Sequence, residues 1–184
     1  MNAIVARKSL IELTLKAAVI YDDFDFAART ATLLERAAIR SDEAMKWDVK
    51  PWRLDLLKPS ALAAAALEET RDADLIVLAL CKTHRLPDEL LEWLEQWAAH
   101  RQIGDAAMMV LCPEETAGPM SCWNRLKEFA GWRGLLFLGS HTLPTDVESA
   151  DFVHRLWQWK QPVVPELPWS ADAAQAPRHW GINE

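Results

Sequence analysis

Leu75-Ile-Val-Leu-Ala-Leu-Cys81 is the stretch on which the fold turns. It is apolar at every position, so it buries both of its faces, and it is too short for a core helix. A buried strand of a parallel sheet, covered on both sides, meets those conditions. Pro87 follows closely and opens a helix. Leu90, Leu91, Trp93, Leu94, Trp97 and Ala98 form one stripe of it, while Asp88, Glu92, Glu95 and Gln96 take the opposite side.

The same alternation extends in both directions. Upstream, Ala17–Tyr21 is a β-rich run, prolonged backwards by the alternating Ile11, Leu13 and Leu15. A helix follows over Phe24–Ile39, with Phe26, Thr30, Leu33 and Ala37 on one face. Trp47–Leu56 alternates around Pro51, and a proline confines such a strand to a sheet edge. Pro59-Ser60 opens an alanine-rich helix to Arg71. Downstream come a strand at Ala106–Cys112, a helix at Met120–Ala130, a strand at Leu135–Gly139 and a helix at Val147–Trp159.

Five β-α pairs with right-handed crossovers leave few topologies. The order 2-1-3-4-5 sends the proline-bearing strand to an edge and the most apolar strand to the centre. The expected fold is therefore a three-layer αβα sandwich on a five-stranded parallel sheet, with flavodoxin-like order. Residues 1–160 form one α/β domain in this reading. From Gln161 onward, Pro162, Pro165, Pro168 and Pro177 with Trp169 and Trp180 mark an extended tail, expected to dock through its tryptophans on its own domain or on a second copy.

Composition narrows the function classes. The 184 residues carry 27 acidic and 20 basic side chains, a net charge of −7 with no basic block, which disfavours nucleic acid as a partner. The longest apolar runs are too short to span a bilayer. Cys81, Cys112 and Cys122 form an odd set without framework spacing, and Met1–Lys16 lacks the continuous apolar stretch of a signal peptide. A reducing, cytoplasmic setting is the expectation, with a protein partner or homo-oligomer as the assembly.

Ligands of open parallel sheets sit at the carboxyl ends of the strands. Those ends carry Asp22 and Asp23, then Cys81 and His84, then Cys112 and Glu114, and finally Ser140 and His141. At the first turn, Asp22, Asp23 and Asp25 stand where a phosphate binder of this architecture presents glycine, serine or threonine. They repel a phosphate, so FMN is not expected, and no GxGxxG or Walker A motif occurs elsewhere. No cofactor is predicted. The acidic pair has two readings, an ion site and a solvated helix N-cap, and the second is the more ordinary.

Cys81-Lys-Thr-His84 has a zinc-compatible spacing but no second close pair of ligands. Cys112 and His141 on neighbouring strand ends would suit a nucleophile and its base, without the small residues that shape a nucleophile turn. Buried cysteines and a surface histidine account for the same residues without any chemistry.

The segments Ala18–Ala37 (AVIYDDFDFAARTATLLERA) and Asp74–Leu80 (DLIVLAL) resemble the first strand, acidic pair, first helix and third strand of response-regulator receiver domains. The resemblance extends over residues 17–141. It implies a CheY-like fold and a signalling role, but it departs from the family where the chemistry lies. The phosphate-accepting aspartate of the pattern falls on Ala79, and the lysine after the fifth strand meets Gly139-Ser140-His141. Without that carboxylate no aspartyl-phosphate forms, and Mg²⁺ loses a ligand. The sequence thus points to a non-catalytic signalling or protein-interaction domain. The alternative is a small enzyme or ligand binder using the carboxyl edge around Cys112 and His141.

Overall fold

β3 (Leu75–Ala79) is the axis of the sheet, and all five of its side chains are fully buried. The computed structural model describes residues 13–40, 45–58, 60–83, 85–111, 122–140, 151 and 154–155. Around β3 lie β1 (Leu13–Tyr21), β2 (Met45–Arg53), β4 (Ala107–Leu111) and β5 (Leu136–Ser140), in the order β2-β1-β3-β4-β5 with every pairing parallel. This is the expected flavodoxin-like α/β sandwich.

Among the described residues four helices join the strands: α1 (Phe24–Arg40), α2 (Ala61–Thr70), α3 (Asp88–His100) and α4 (Cys122–Trp132). Alternation along β3 divides the core. Ile76 and Leu78 pack with Ala63 and Ala66 of α2, Trp93 and Trp97 of α3, and Leu126 and Phe129 of α4. Leu75, Val77 and Ala79 face the other way, with Leu34 and Ala37 of α1.

The helix ends follow local chemistry. Ser60 caps α2, its Oγ accepting the Ala63 N–H at 3.3 Å. Gly134, at φ 64°, ends α4: the Leu135 N–H bonds the Ala130 carbonyl and the Gly134 N–H bonds the Gly131 carbonyl. That pair of bonds needs a left-handed residue, which glycine adopts without strain. The alanines of α2 leave room for the large rings of α3. The Trp97 indole donates to the Thr70 carbonyl at 2.9 Å, and the Trp93 indole to the Ala63 carbonyl at 3.2 Å.

Two strand ends differ from the sequence expectation. β2 stops at Arg53, and Leu54–Leu57 form a 3-10 turn that buries Leu57. β3 stops at Ala79, because the Cys81 N–H is drawn to a side chain from another strand end. Pro51 does lie within an edge strand, as β2 pairs with β1 alone. Asp151, His154 and Arg155 are helical and exposed within the predicted last helix. The remainder of that helix and the 161–184 tail lie outside the described residues.

Candidate functional site at the carboxyl edge

Register aligns Arg53, Tyr21, Ala79, Leu111 and Ser140 in one row at the carboxyl ends of the five strands. The strand order reverses between β1 and β3, neighbours in that row, where this topology opens a crevice. A cleft of about 680 Å³ lies there. Its walls come from the β1–α1 turn, the 3-10 turn after β2, and the loop from β3 into α3.

Asp22 is buttressed across the crevice. One carboxylate oxygen accepts the Cys81 N–H at 2.8 Å, and the other accepts the Lys82 N–H at 2.8 Å and the Thr83 hydroxyl at 2.7 Å. Asp23 has a different task. Its Oδ1 accepts the Phe26 N–H at 2.9 Å and so caps α1, while its Oδ2 meets the Lys82 ammonium at 2.6 Å. The Lys82 hydrogen bond, then the Phe26 N–H, hold the Asp23 carboxyl below its ordinary value. The bond to Asp23 raises Lys82 in turn. Both aspartates of the acidic pair are thus engaged by the protein itself, and a tethered ammonium supplies the positive charge.

On the β2 side the Arg53 guanidinium grips Asp55 in a two-pronged pair, with Nε donating to Oδ1 at 2.6 Å and Nη2 to Oδ2. The hydrogen bond between them lowers Asp55 and raises Arg53. Asp25 and Glu89, in the first turns of α1 and α3, line the same cleft and form no ion pair among the described residues. The lining holds five carboxylates (Asp22, Asp23, Asp25, Asp55, Glu89) and three cations (Arg53, Lys58, Lys82), leaving two negative charges in excess. Phe24 stands at its rim, 73% exposed, with its ring edge-on to Tyr21 at 6.5 Å.

Of the residues singled out from sequence, Asp22 and Asp23 line the cleft, and partly exposed Cys81 lies beside it through its bond to Asp22. Cys122 is buried in α4. His84, Cys112 and His141 lie outside the described residues, and so does any meeting between them. Among the described residues no group of three His, Cys, Asp or Glu side chains is arranged to hold a metal ion. Ala79, at the acceptor position of the receiver pattern, is fully buried.

Sequence reasoning missed Lys82, Arg53 and Phe24. Lys82 had a usable signal, since it follows Cys81 directly at a strand end that the topology sets beside Asp22 and Asp23. The buried polar residues Thr30, Thr70 and Asp74 are each hydrogen-bonded, whereas the Trp47 and Trp52 indole N–H groups and Arg101 Nη1 are buried without a partner among the described residues. Thr30 bonds the Phe26 carbonyl, Thr70 the Ala66 carbonyl, and Asp74 accepts the Lys16 N–H at the opposite edge of the sheet. No helix among the described residues is long and apolar enough to cross a membrane.

No protein-family model matches the chain, and no curated protein matches it either.

Proposed function

We propose that this chain is a non-catalytic protein-interaction domain of receiver-resembling fold, working through the surface at the carboxyl edge of its sheet. The observation that carries this reading is the engagement of the acidic pair: Asp22 accepts three donors and Asp23 is bound to both Phe26 and Lys82. A divalent cation would have to displace Lys82 and share Asp22 with two backbone N–H groups. A phosphoryl group would find the methyl of Ala79 instead of a carboxylate. What remains at this edge is an open, charged cleft with an exposed aromatic ring beside it; aromatic residues are enriched at protein interfaces, and charge at an interface steers a partner of the opposite sign.

A photo-crosslinking residue in place of Phe24, expressed in the native host, tests the reading. One specific protein should be captured, and the capture should compete with the unmodified chain. In parallel, acetyl phosphate with Mg²⁺ should leave the intact mass unchanged. A phosphoryl adduct, or the absence of any captured protein, overturns the proposal.

The cleft volume also lies within the range of small-molecule sites, which favours a second reading as a small enzyme or ligand-binding protein. A small molecule retained in native mass spectrometry and lost on substitution of Lys58 or Glu89 would decide for it.

A further inference from the structure

Resting on that reading, we infer that the carboxyl-edge cleft receives a short basic segment of the partner, with a lysine or arginine side chain laid against Phe24 and its charge met by Asp25 and Glu89. Three independent features converge on this occupant. The first is shape: an open cleft of about 680 Å³ admits a side chain and its neighbours, and Leu54, Pro87 and Leu90 give apolar surface for an aliphatic stem. The second is charge. Lys82 and Arg53 are held by Asp23 and Asp55, whereas Asp25 and Glu89 have no cationic partner among the described residues.

The third is the Phe24 ring. At 73% exposed it contributes little to the core, and it meets the Tyr21 ring edge-on. A ring face beside uncompensated carboxylates attracts a guanidinium or ammonium by both quadrupole and charge. The excess of two negative charges in the lining and the net −7 of the chain draw a cation in and repel an acidic segment. The helix N-termini stabilise Asp25 and Glu89 in place, but they do not cancel a full charge on each.

Fluorescence anisotropy on the full chain at physiological salt tests this, with a labelled decapeptide of alternating leucine and arginine as the probe. Its leucine–glutamate counterpart is the control. Saturable binding of the arginine peptide alone is expected. Phe24→Ala, and separately the double variant Asp25→Asn/Glu89→Gln, should weaken it about five- to tenfold. Glu35→Gln/Glu128→Gln removes the same charge from exposed helix surface outside the cleft and should leave binding within about twofold. Equal weakening by both double variants, or no saturable binding, overturns the inference. If the protein captured at position 24 docks through a neutral or acidic segment, the inference falls while the interaction reading stands. If nothing is captured there, both fall.

Discussion

Asp22 and Cys81 are joined across the point between β1 and β3 where the strand order reverses, the carboxylate of one accepting the backbone N–H of the other at 2.8 Å. Asp22 leaves β1 and Cys81 follows β3, so this bond carries the link between the two strand ends one step past their last backbone bond, from the Asp22 N–H to the Ala79 carbonyl at 3.4 Å. With the Lys82 and Thr83 bonds it gives the β3–α3 loop one fixed shape, and that loop forms a wall of the cleft.

Asp22→Ala should therefore act on that loop. A single hydrogen bond to a charged acceptor is worth about 1.5–3 kcal/mol, and the variant, which removes the acceptor of three, should lose stability of at least that order. Hydrogen exchange should accelerate at the Cys81 and Lys82 amides while β3 itself stays protected. Unchanged exchange at those two amides would show that the carboxylate does not hold the loop.

The Asp23–Lys82 pair sets a pH window. The Asp23 carboxyl lies below its ordinary value, chiefly through the Lys82 hydrogen bond, so its contribution is present above the unfolded value and lost as pH falls through the folded one. The Lys82 ammonium lies above its ordinary value through the same bond, so its contribution is present below the unfolded value and lost as pH rises through the folded one. Both groups are therefore charged at every pH between the ordinary carboxylate and ordinary lysine values, and the pair is lost only beyond that range on either side. In Lys82→Met the Asp23 carboxyl, followed by NMR, should titrate at higher pH than in the parent, with the Phe26 N–H still favouring the anion. An unmoved titration would remove Lys82 from the site.

The contrast between these two aspartates shows what the sequence can carry. Asp23 caps the helix that begins at the next residue, and cap and helix are contiguous in the chain. Asp22 binds donors some sixty positions away, which become neighbours only once β1 lies beside β3. The strands were legible because burial on both faces leaves a continuous mark, as in Leu75–Ala79, and Pro51 marked its edge strand. Their ends were less so: apolar patterning runs on through Leu80 and Cys81 and through Leu54 and Leu56, whereas Asp22 and the 3-10 turn decide where pairing stops. The cleft draws its walls from three separate segments, and of these only the β1–α1 turn, with Asp22 and Asp23, stood out in the sequence as cleft lining.

Trp97 is fully buried, and its indole N–H donates to the Thr70 carbonyl, which also accepts the Ala73 N–H. Trp97→Phe removes ring volume from the α2–α3 seam together with one hydrogen bond, at a cost of about 1–3 kcal/mol. Trp93→Phe loses a longer bond, 3.2 Å, to a carbonyl inside α2, and should cost less. Urea denaturation of the two variants side by side checks the order. The reverse order would mean that the Thr70 bond does not pin the end of α2.

Gly139 lies under the Trp123 ring on β5. A Cβ built there would fall 2.0 Å from the indole Cη2 and 2.5 Å from Cζ2, distances no side chain tolerates. The glycine thus leaves the space that the six-membered ring of Trp123 occupies, and that indole meets Phe137 edge-on at 5.4 Å. Gly139→Ala should push the indole away from Phe137. The cost is the aromatic contact and part of the ring's packing, about 0.5–1.5 kcal/mol for the pair alone. Because the atoms that must move are the far end of one side chain, the strand itself should persist. Thermal melting and tryptophan fluorescence of Gly139→Ala, Trp123→Ala and the double variant test this as a cycle. The glycine substitution should be clearly less destabilising once the ring is gone, since nothing remains for the new methyl to strike. Additive losses would show that Gly139 serves the strand backbone and not the indole resting on it.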